Sequence, residues 1–435
     1  MNNKKYKIFL ILFSSVIIGI GVGLIVSLFH ISIDWILFHK SQMIEKIWPW
    51  HTYIYLPYMF LTAIMLFLSV YIVKKYSPDA AGSGIQDIEG VIGNKMTMRG
   101  IRLIVVKFFG GILSIGGGMS MGREGPSVQI GGALGHIISK IFTLDKESLN
   151  ILIAAGAGAG LATTFNAPLA GILFVFEEMR EEIKYNYITA KSVITTSVVS
   201  IITLHILIGN TISIPVDKLN LPNVYELWIF IPFGIFFGFL GFIFNKYLVT
   251  FTNRIAQFNG WKFNLLILFI GAIIGLLFYT YPYSVGEGYK VIHAALNQEL
   301  GLKSLLILFA VRFLTTMISY GTGAPGGIFA PMLALGTLFG VSFGIISNNL
   351  LPFLHIEPIV FAVVGMSALF SATVRAPLTG IILVAEMTSS FNLLMPLLIT
   401  SLVAVITVNA LGGRAIYTIL LEQALKISKF GNTKS

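Results

Sequence analysis

The 435-residue chain contains no cysteine, which removes disulfides, thiolate metal sites and cysteine nucleophiles from consideration. Charge is nearly as scarce. Only 11% of residues are Asp, Glu, Lys or Arg, against 56% hydrophobic and a mean hydropathy of +0.86, a balance that excludes an ordinary water-soluble domain. The seven histidines (His30, His39, His51, His136, His205, His293 and His355) include no pair at i and i+4, so a helical two-histidine zinc hydrolase has no support. No carboxylate-rich constellation marks a sodium site either. Acidic residues number 19 against 29 basic ones, for a formal charge of +10. Lys4, Lys5 and Lys7 crowd the start and Lys426, Lys429 and Lys434 the tail, a pattern of cytoplasmic ends rather than of a nucleic-acid-binding surface. The expectation is a polytopic membrane protein with both termini in the cytoplasm and an even number of crossings.

The first apolar run, about Ile8 to Phe29, is near the ~20 residues needed to span a bilayer and lacks a small-x-small cleavage site, so it reads as a retained helix. Trp48 to Tyr55 suits a membrane-interface belt. Further spans are expected at about Leu56 to Val73, Ser192 to Ile208, Leu227 to Leu248, Leu265 to Tyr279 and Leu305 to Ile318, separated by polar stretches around Asp217 and Arg254. Tyr283 to Leu300 reads as a hydrophilic loop. Two cations fall inside apolar runs: Lys107, for which Glu89 is the candidate partner, and Arg312, for which the sequence names none.

Against this background Gly122-Arg123-Glu124-Gly125-Pro126 stands out, with two opposite charges and two kinds of helix breaker at membrane depth. Glycine lets the backbone leave helical geometry, and proline suits the first turn of a new helix, so the run reads as a broken membrane helix. At such a break free N–H groups and the positive end of the helix dipole favour an anion. Glu124, beside that site, fits a carboxylate that occupies it when ionised and leaves it when protonated. Arg123, its sequence neighbour, does not share a helix face with it. Gly82-Ser83-Gly84 is a glycine-flanked serine in a turn, either a plain loop or, if folded into the membrane, a hydroxyl able to coordinate a dehydrated ion. Gly321 to Pro331 carries enough glycine and proline to expose backbone amides, tolerated at that depth only where they line a cavity.

The two halves of the chain echo each other. Asn166-Ala167-Pro168-Leu169-Ala170-Gly171-Ile172 matches Arg375-Ala376-Pro377-Leu378-Thr379-Gly380-Ile381 at an offset of 209, and Gly122, Pro126, Gly131 and Gly135 recur as Gly327, Pro331, Gly336 and Gly340 at 205. Two proline-opened helices in each half, in the same order, predict a duplicated transporter with discontinuous helices and a site where the repeats meet. Glu177 has a counterpart in Glu386, whereas Glu178 faces Met387 and Glu124 faces Phe329. An acid present in only one half of a symmetric scaffold is the better functional candidate; the competing reading of Glu177 and Glu178 is a solvated helix end.

Gly82-Ser83-Gly84-Ile85, Gly122-Arg123-Glu124-Gly125-Pro126 and Gly327-Ile328-Phe329-Ala330-Pro331 resemble, in order and spacing, the three signature stretches of the CLC family of chloride channels and chloride/proton antiporters. The resemblance covers nearly the whole chain. It implies an all-α polytopic membrane fold of two inverted repeats with broken membrane helices, as a single transmembrane domain over residues 1–430. The repeats are expected at about 50–210 and 225–420, with no soluble regulatory domain. It further implies a homodimer with one ion pathway per subunit, in a bacterial inner membrane, with chloride and protons as transported species and no cofactor or metal. By the same resemblance Ser83, the amides of Ile328 and Phe329, and the Tyr417 hydroxyl hold chloride, alongside Gly122, Arg123 and Gly125 of the break. Glu124 is the external gate, Glu178 the internal proton-transfer acid, and Glu89 with Lys107 a buried supporting pair. One departure is Gln86, where the family pattern has proline. The implied activity is proton-coupled chloride antiport; a passive chloride channel is disfavoured by Glu178, and a fluoride/proton antiporter by Ser83. An intramembrane serine hydrolase has no histidine placed by sequence to serve Ser83.

Overall fold

A chain that crosses hydrocarbon must close its backbone hydrogen bonds within each segment, and this one does so as helix. The computed structural model describes residues 3–47, 53–210, 212–216, 219, 222–354 and 356–432. The first eight helices are α1 (Asn3–Ile47), α2 (Tyr55–Tyr76), α3 (Ile85–Ile92), α4 (Gly100–Gly116), α5 (Glu124–Ile141), α6 (Lys146–Phe165), α7 (Pro168–Glu178) and α8 (Tyr187–Leu207). Eight more follow in matching order: α9 (Phe230–Ala256), α10 (Gly260–Thr280), α11 (Tyr289–Leu296), α12 (Leu302–Gly321), α13 (Phe329–Leu350), α14 (Pro358–Val374), α15 (Pro377–Thr388) and α16 (Leu394–Ala410). A last helix, α17 (Ile416–Asn432), packs against α3 and α14. Among the described residues nine helical segments are long and apolar enough to cross a membrane, and the protein is a multi-pass membrane protein.

The relation between the halves is written in backbone hydrogen bonds. Gly122 and Gly327, equivalent at an offset of 205, exchange both N–H···O bonds (2.9 and 2.6 Å) in an antiparallel bridge. Equivalent residues that pair antiparallel lie on a local two-fold axis, so the repeats are inverted. The short helices obey the same axis. Glu386 at the end of α15 accepts from the Leu169 and Ala170 amides in the first turn of α7 (3.1 and 2.8 Å), while Glu177 at the end of α7 accepts from the Leu378 and Thr379 amides in the first turn of α15 (3.1 and 2.7 Å). Each repeat thus caps a helix of the other with a carboxylate where the dipole favours one. Small residues set the close approaches: a Cβ on Gly131 would lie 2.0 Å from the Gly156 carbonyl oxygen, and one on the equivalent Gly336 would lie 2.4 Å from that of Gly365.

Three expectations change. The first helix runs 45 residues rather than the span from Ile8 to Phe29, because its polar continuation finds buried partners. Lys40 donates to Thr62 Oγ1 and the Gly117 carbonyl, both at 2.7 Å. The stretch from Tyr283 to Leu300 is not a loop throughout: α11 buries Val291, Ile292, Ala294, Ala295 and Leu296 on one side and turns its polar residues outward. Glu177 is not a solvated helix end but a cap. His51, His355, Asp217, Lys434 and residues 48–52 of the expected interface belt lie outside the described residues.

Candidate functional site

Four chain segments converge near the local two-fold: the loop before α3, the start of α5, the start of α13 and the start of α17. Gly82 and Gly84 flank Ser83 with left-handed backbone (φ +58° and +87°), a conformation that turns the chain sharply and buries Ser83 completely. Lys107 of α4 clamps this loop, donating to the Ala80 and Gly82 carbonyls (3.1 and 2.8 Å), and the Gly326 amide donates to the same Gly82 oxygen (3.0 Å). A Cβ on Gly125 would sit 2.5 Å from Ser83 Oγ, so only glycine there lets the start of α5 close over the hydroxyl.

Glu124 is fully buried, and its Oε1 accepts from the amides of Phe329 (2.6 Å) and Ala330 (3.1 Å), the first two residues of α13. The carboxylate occupies the N-terminus of α13, the counterpart in the other repeat of the helix that Glu124 itself opens. Gly122 and Gly327 make the space: a Cβ on either would come within 2.1 and 2.6 Å of a Glu124 oxygen. The Phe329 ring is locked among Phe165, Phe174, Phe370 and Tyr417, which holds its amide in aim.

Beside this pair, the hydroxyls of Ser83 and Tyr417 are both buried without a hydrogen-bond partner, although they lie close enough to influence each other. Native interiors rarely leave two neighbouring hydroxyls unsatisfied. Two donors beside a helix N-terminus, with no acceptor of their own, suit a small anion. Tyr320 of α12, which the sequence does not single out, lays its ring against Gly82 and its hydroxyl near the Ser83 backbone. A tyrosine at the end of an apolar span carries no motif to reveal it.

The structure brings together Ser83, Glu124, Gly125, Ile328, Phe329 and Tyr417, but engages other expected residues elsewhere. Gly122 spends its N–H on Gly327. The Arg123 guanidinium is held by Glu287 and Asp34, so it is not at the Ser83 site. No ion pair joins Glu89 and Lys107. Lys107 has the loop carbonyls, with Asp87 and Asp79 as its nearby charges, and Glu89 faces the Glu178 carboxyl instead, with Glu182 and Lys95 around it. Arg312, without a partner in the sequence, has three: the carbonyls of Tyr283 (2.8 Å), Val285 (2.9 Å) and Gly286 (2.8 Å). Gln86 sits in the first turn of α3, where an N–H has no intrahelical acceptor and proline would fit as well; its amide reaches Asp87 at 3.4 Å.

The two acids lie on different sides of the site. Asn150 of α6 donates to the Ile92 carbonyl (3.0 Å), and Lys7 pairs with Asp145 just before α6 (2.8 Å), so α3, with Glu89 and its neighbour Glu178, belongs to the face where α1 begins. Asp34, paired with Arg123 beside Glu124, lies about 40 Å further along α1 at ~1.5 Å per residue.

A model of the family described as "Voltage gated chloride channel" matches residues 64–409. The H(+)/Cl(-) exchange transporter ClcA of Vibrio campbellii is 42% identical over 426 residues, covering 97% of this chain and 91% of that protein. Its counterpart in Vibrio cholerae is 42% identical over 432 residues, 98% and 92% of the two chains. Among solved structures, a slow cyanobacterial Cl-/H+ antiporter superposes with a TM-score of 0.93 at 36% identity, over 96% of this chain and 98% of that one. A CLC-type fluoride/proton antiporter shares the fold at a TM-score of 0.74 and 21% identity, over 94% and 96%.

Proposed function

Because this chain belongs to the voltage-gated chloride channel (CLC) family, we propose that it is a proton-coupled chloride antiporter in which Glu124 is the gate. The observation that carries the reading is the Glu124 carboxylate on the Phe329 and Ala330 amides, one step from the unpartnered hydroxyls of Ser83 and Tyr417. An ionised Glu124 and a chloride ion compete for the same helix end. Protonation removes the carboxylate's charge, and with it most of its hold on those amides, so the side chain yields the position to chloride and carries a proton out of it. Glu178, on the other side of the site and facing Glu89, exchanges that proton with the opposite solution. By the positive-inside rule the face with Lys5 and Lys7 is cytoplasmic, which puts Glu178 inside and Asp34 outside in a bacterial inner membrane. The assembly is a homodimer of such subunits.

The test is proton movement in sealed liposomes driven only by an outward chloride gradient, with the voltage shunted in a parallel sample. The expected outcome is uphill proton movement tied to chloride flux, abolished in Glu124→Gln while chloride flux persists. Chloride flux without proton movement in the unaltered protein means a channel, and coupling retained in Glu124→Gln removes Glu124 from the mechanism. Fluoride efflux in the same liposomes separates the fluoride antiporter, a reading that Ser83 disfavours.

A further inference from the structure

The coupling scheme above uses Glu124 but gives no work to the charges packed behind it. Arg123, the preceding residue, points into a cavity of about 420 Å³ on the Asp34 side of the gate. Its guanidinium is grasped twice: Nε donates to Glu287 Oε1 (2.7 Å) and one terminal nitrogen to Oε2, while the terminal nitrogens also reach both oxygens of Asp34 (2.8 and 3.3 Å). Glu287 is nearly buried, with 6% of its side chain exposed, and Asp34 is open to solvent at 62%. The segment carrying Glu287 is itself braced, by Arg312 on the carbonyls of Tyr283, Val285 and Gly286 and by the Gly286 amide on the Gly118 carbonyl (3.0 Å).

This construction is more than a single arginine needs. One carboxylate neutralises a guanidinium; two leave the group with net charge −1. Arg123 alone beside Glu124 would favour the ionised gate and resist its protonation, whereas the triad presents the opposite sign. Other titratable and charged groups also face Glu287. His30 of α1 stands on the cavity wall, where the Arg123 charge acts on it; Tyr289 of α11 lies among Glu287, Arg123 and Glu124; Lys290 lines the cavity rim; and Arg312 of α12 keeps its positive charge but spends its donors on the carbonyls of Tyr283, Val285 and Gly286, so Arg123 is the cation that Glu287 and Asp34 hold directly.

We propose that Glu287, with Asp34 as its outer partner, is a positioning residue that sets how readily the Glu124 gate takes up a proton from the cavity side, by reversing the sign of the charge Arg123 presents to it. The proposal rests on Glu124 being the gate. It predicts that removing either carboxylate lowers proton occupancy of the gate at a given pH, so that more acid is needed for the same turnover.

Chloride turnover in oriented proteoliposomes, followed with a chloride electrode against pH on the cavity side, tests this without relying on the coupling ratio. In Glu287→Gln the half-maximal pH is expected to move acidward by about half a unit or more, and in Asp34→Asn by less, because that carboxylate is solvent-screened. Glu287→Asp should return toward the unaltered profile, and protons moved per chloride should not change. A tether without electrostatic effect would lower the amount of folded protein or the maximal rate and leave the midpoint alone. An unmoved or alkaline-shifted midpoint in both charge-removing variants overturns the proposal; if Glu287→Gln does not fold, Asp34→Asn decides by the same criterion. Glu124→Gln, run in parallel, should have no profile left to shift. If it keeps the unaltered profile, the gate reading has failed rather than the role of Glu287.

Discussion

Ser83 and Tyr417 bury hydroxyls without hydrogen-bond partners, with Ser83 set against the start of α5 and Tyr417 against the Phe329 ring at the start of α13. If they exist to hold chloride, removing them costs binding and not folding. Ser83→Ala and Tyr417→Phe are each expected to weaken chloride binding by about 1.5–3 kcal/mol, roughly ten- to a hundredfold, the range for hydrogen bonds to charged groups. Because both serve one ion, the double variant should lose less than the sum. Calorimetric titration of chloride into the purified protein reads the affinities, and thermal unfolding in chloride-free buffer should show stability unchanged or raised, since a buried unsatisfied group has been deleted. Lowered stability with unchanged affinity would make the hydroxyls structural. Ser83 and Glu124 were legible in the sequence because glycine and proline frame them within a few residues. The clasp on Arg123 was not, since Glu287 lies 164 positions away and Asp34 lies 89 away on another helix. Lys107 was misassigned for the same reason: a buried ammonium can be satisfied by carbonyls, which every residue carries and no sequence pattern marks.

The short helices α7 and α15 are opened by proline, and that much is local. What completes them comes from the other repeat. Each first turn presents amides at its second and third positions, and each pair is met by a single carboxylate. The geometries are nearly equal, but Glu177 also accepts from the Thr379 hydroxyl (2.8 Å), which Glu386 has no counterpart for, because Ala170 stands at the equivalent position. Glu386→Gln should therefore cost about 1 kcal/mol of stability, and Glu177→Gln somewhat more. The double variant should cost close to the sum, because the caps share no atoms. Chemical unfolding in detergent measures all three, and no loss in either single variant would show that the caps are incidental. The duplication itself was plain in the sequence, whereas its inverted sense was only implied by the family resemblance and is seen in the antiparallel pairing of Gly122 with Gly327. Glu177, by contrast, reads as a solvated end, because the amides it caps are 201 residues away. The long α1 and the eight-residue α11 escaped for a shared reason: their polar residues look like loop until tertiary partners bury one side.

At the scale of the whole molecule, the residues assigned to the pathway are organised by a local two-fold axis that passes through the chain. Gly122 meets Gly327, α7 caps α15, and Glu124 of one repeat fills the helix end of the other. A copy of the protein therefore contains both halves of the Glu124 helix-end contact. If two copies form the homodimer proposed here, they should transport independently. The measurement is a dimer of one unaltered subunit and one Glu124→Gln subunit, purified through two different tags and reconstituted at low density. Chloride flux should equal the mean of the two parent dimers, and chloride-driven proton flux should be half that of the unaltered dimer. Proton flux near zero in the mixed dimer would mean that one gate controls both pathways. Flux equal to the unaltered dimer would mean that coupling does not pass through each chain's own Glu124. Either result would contradict a site whose parts are joined by hydrogen bonds within one chain.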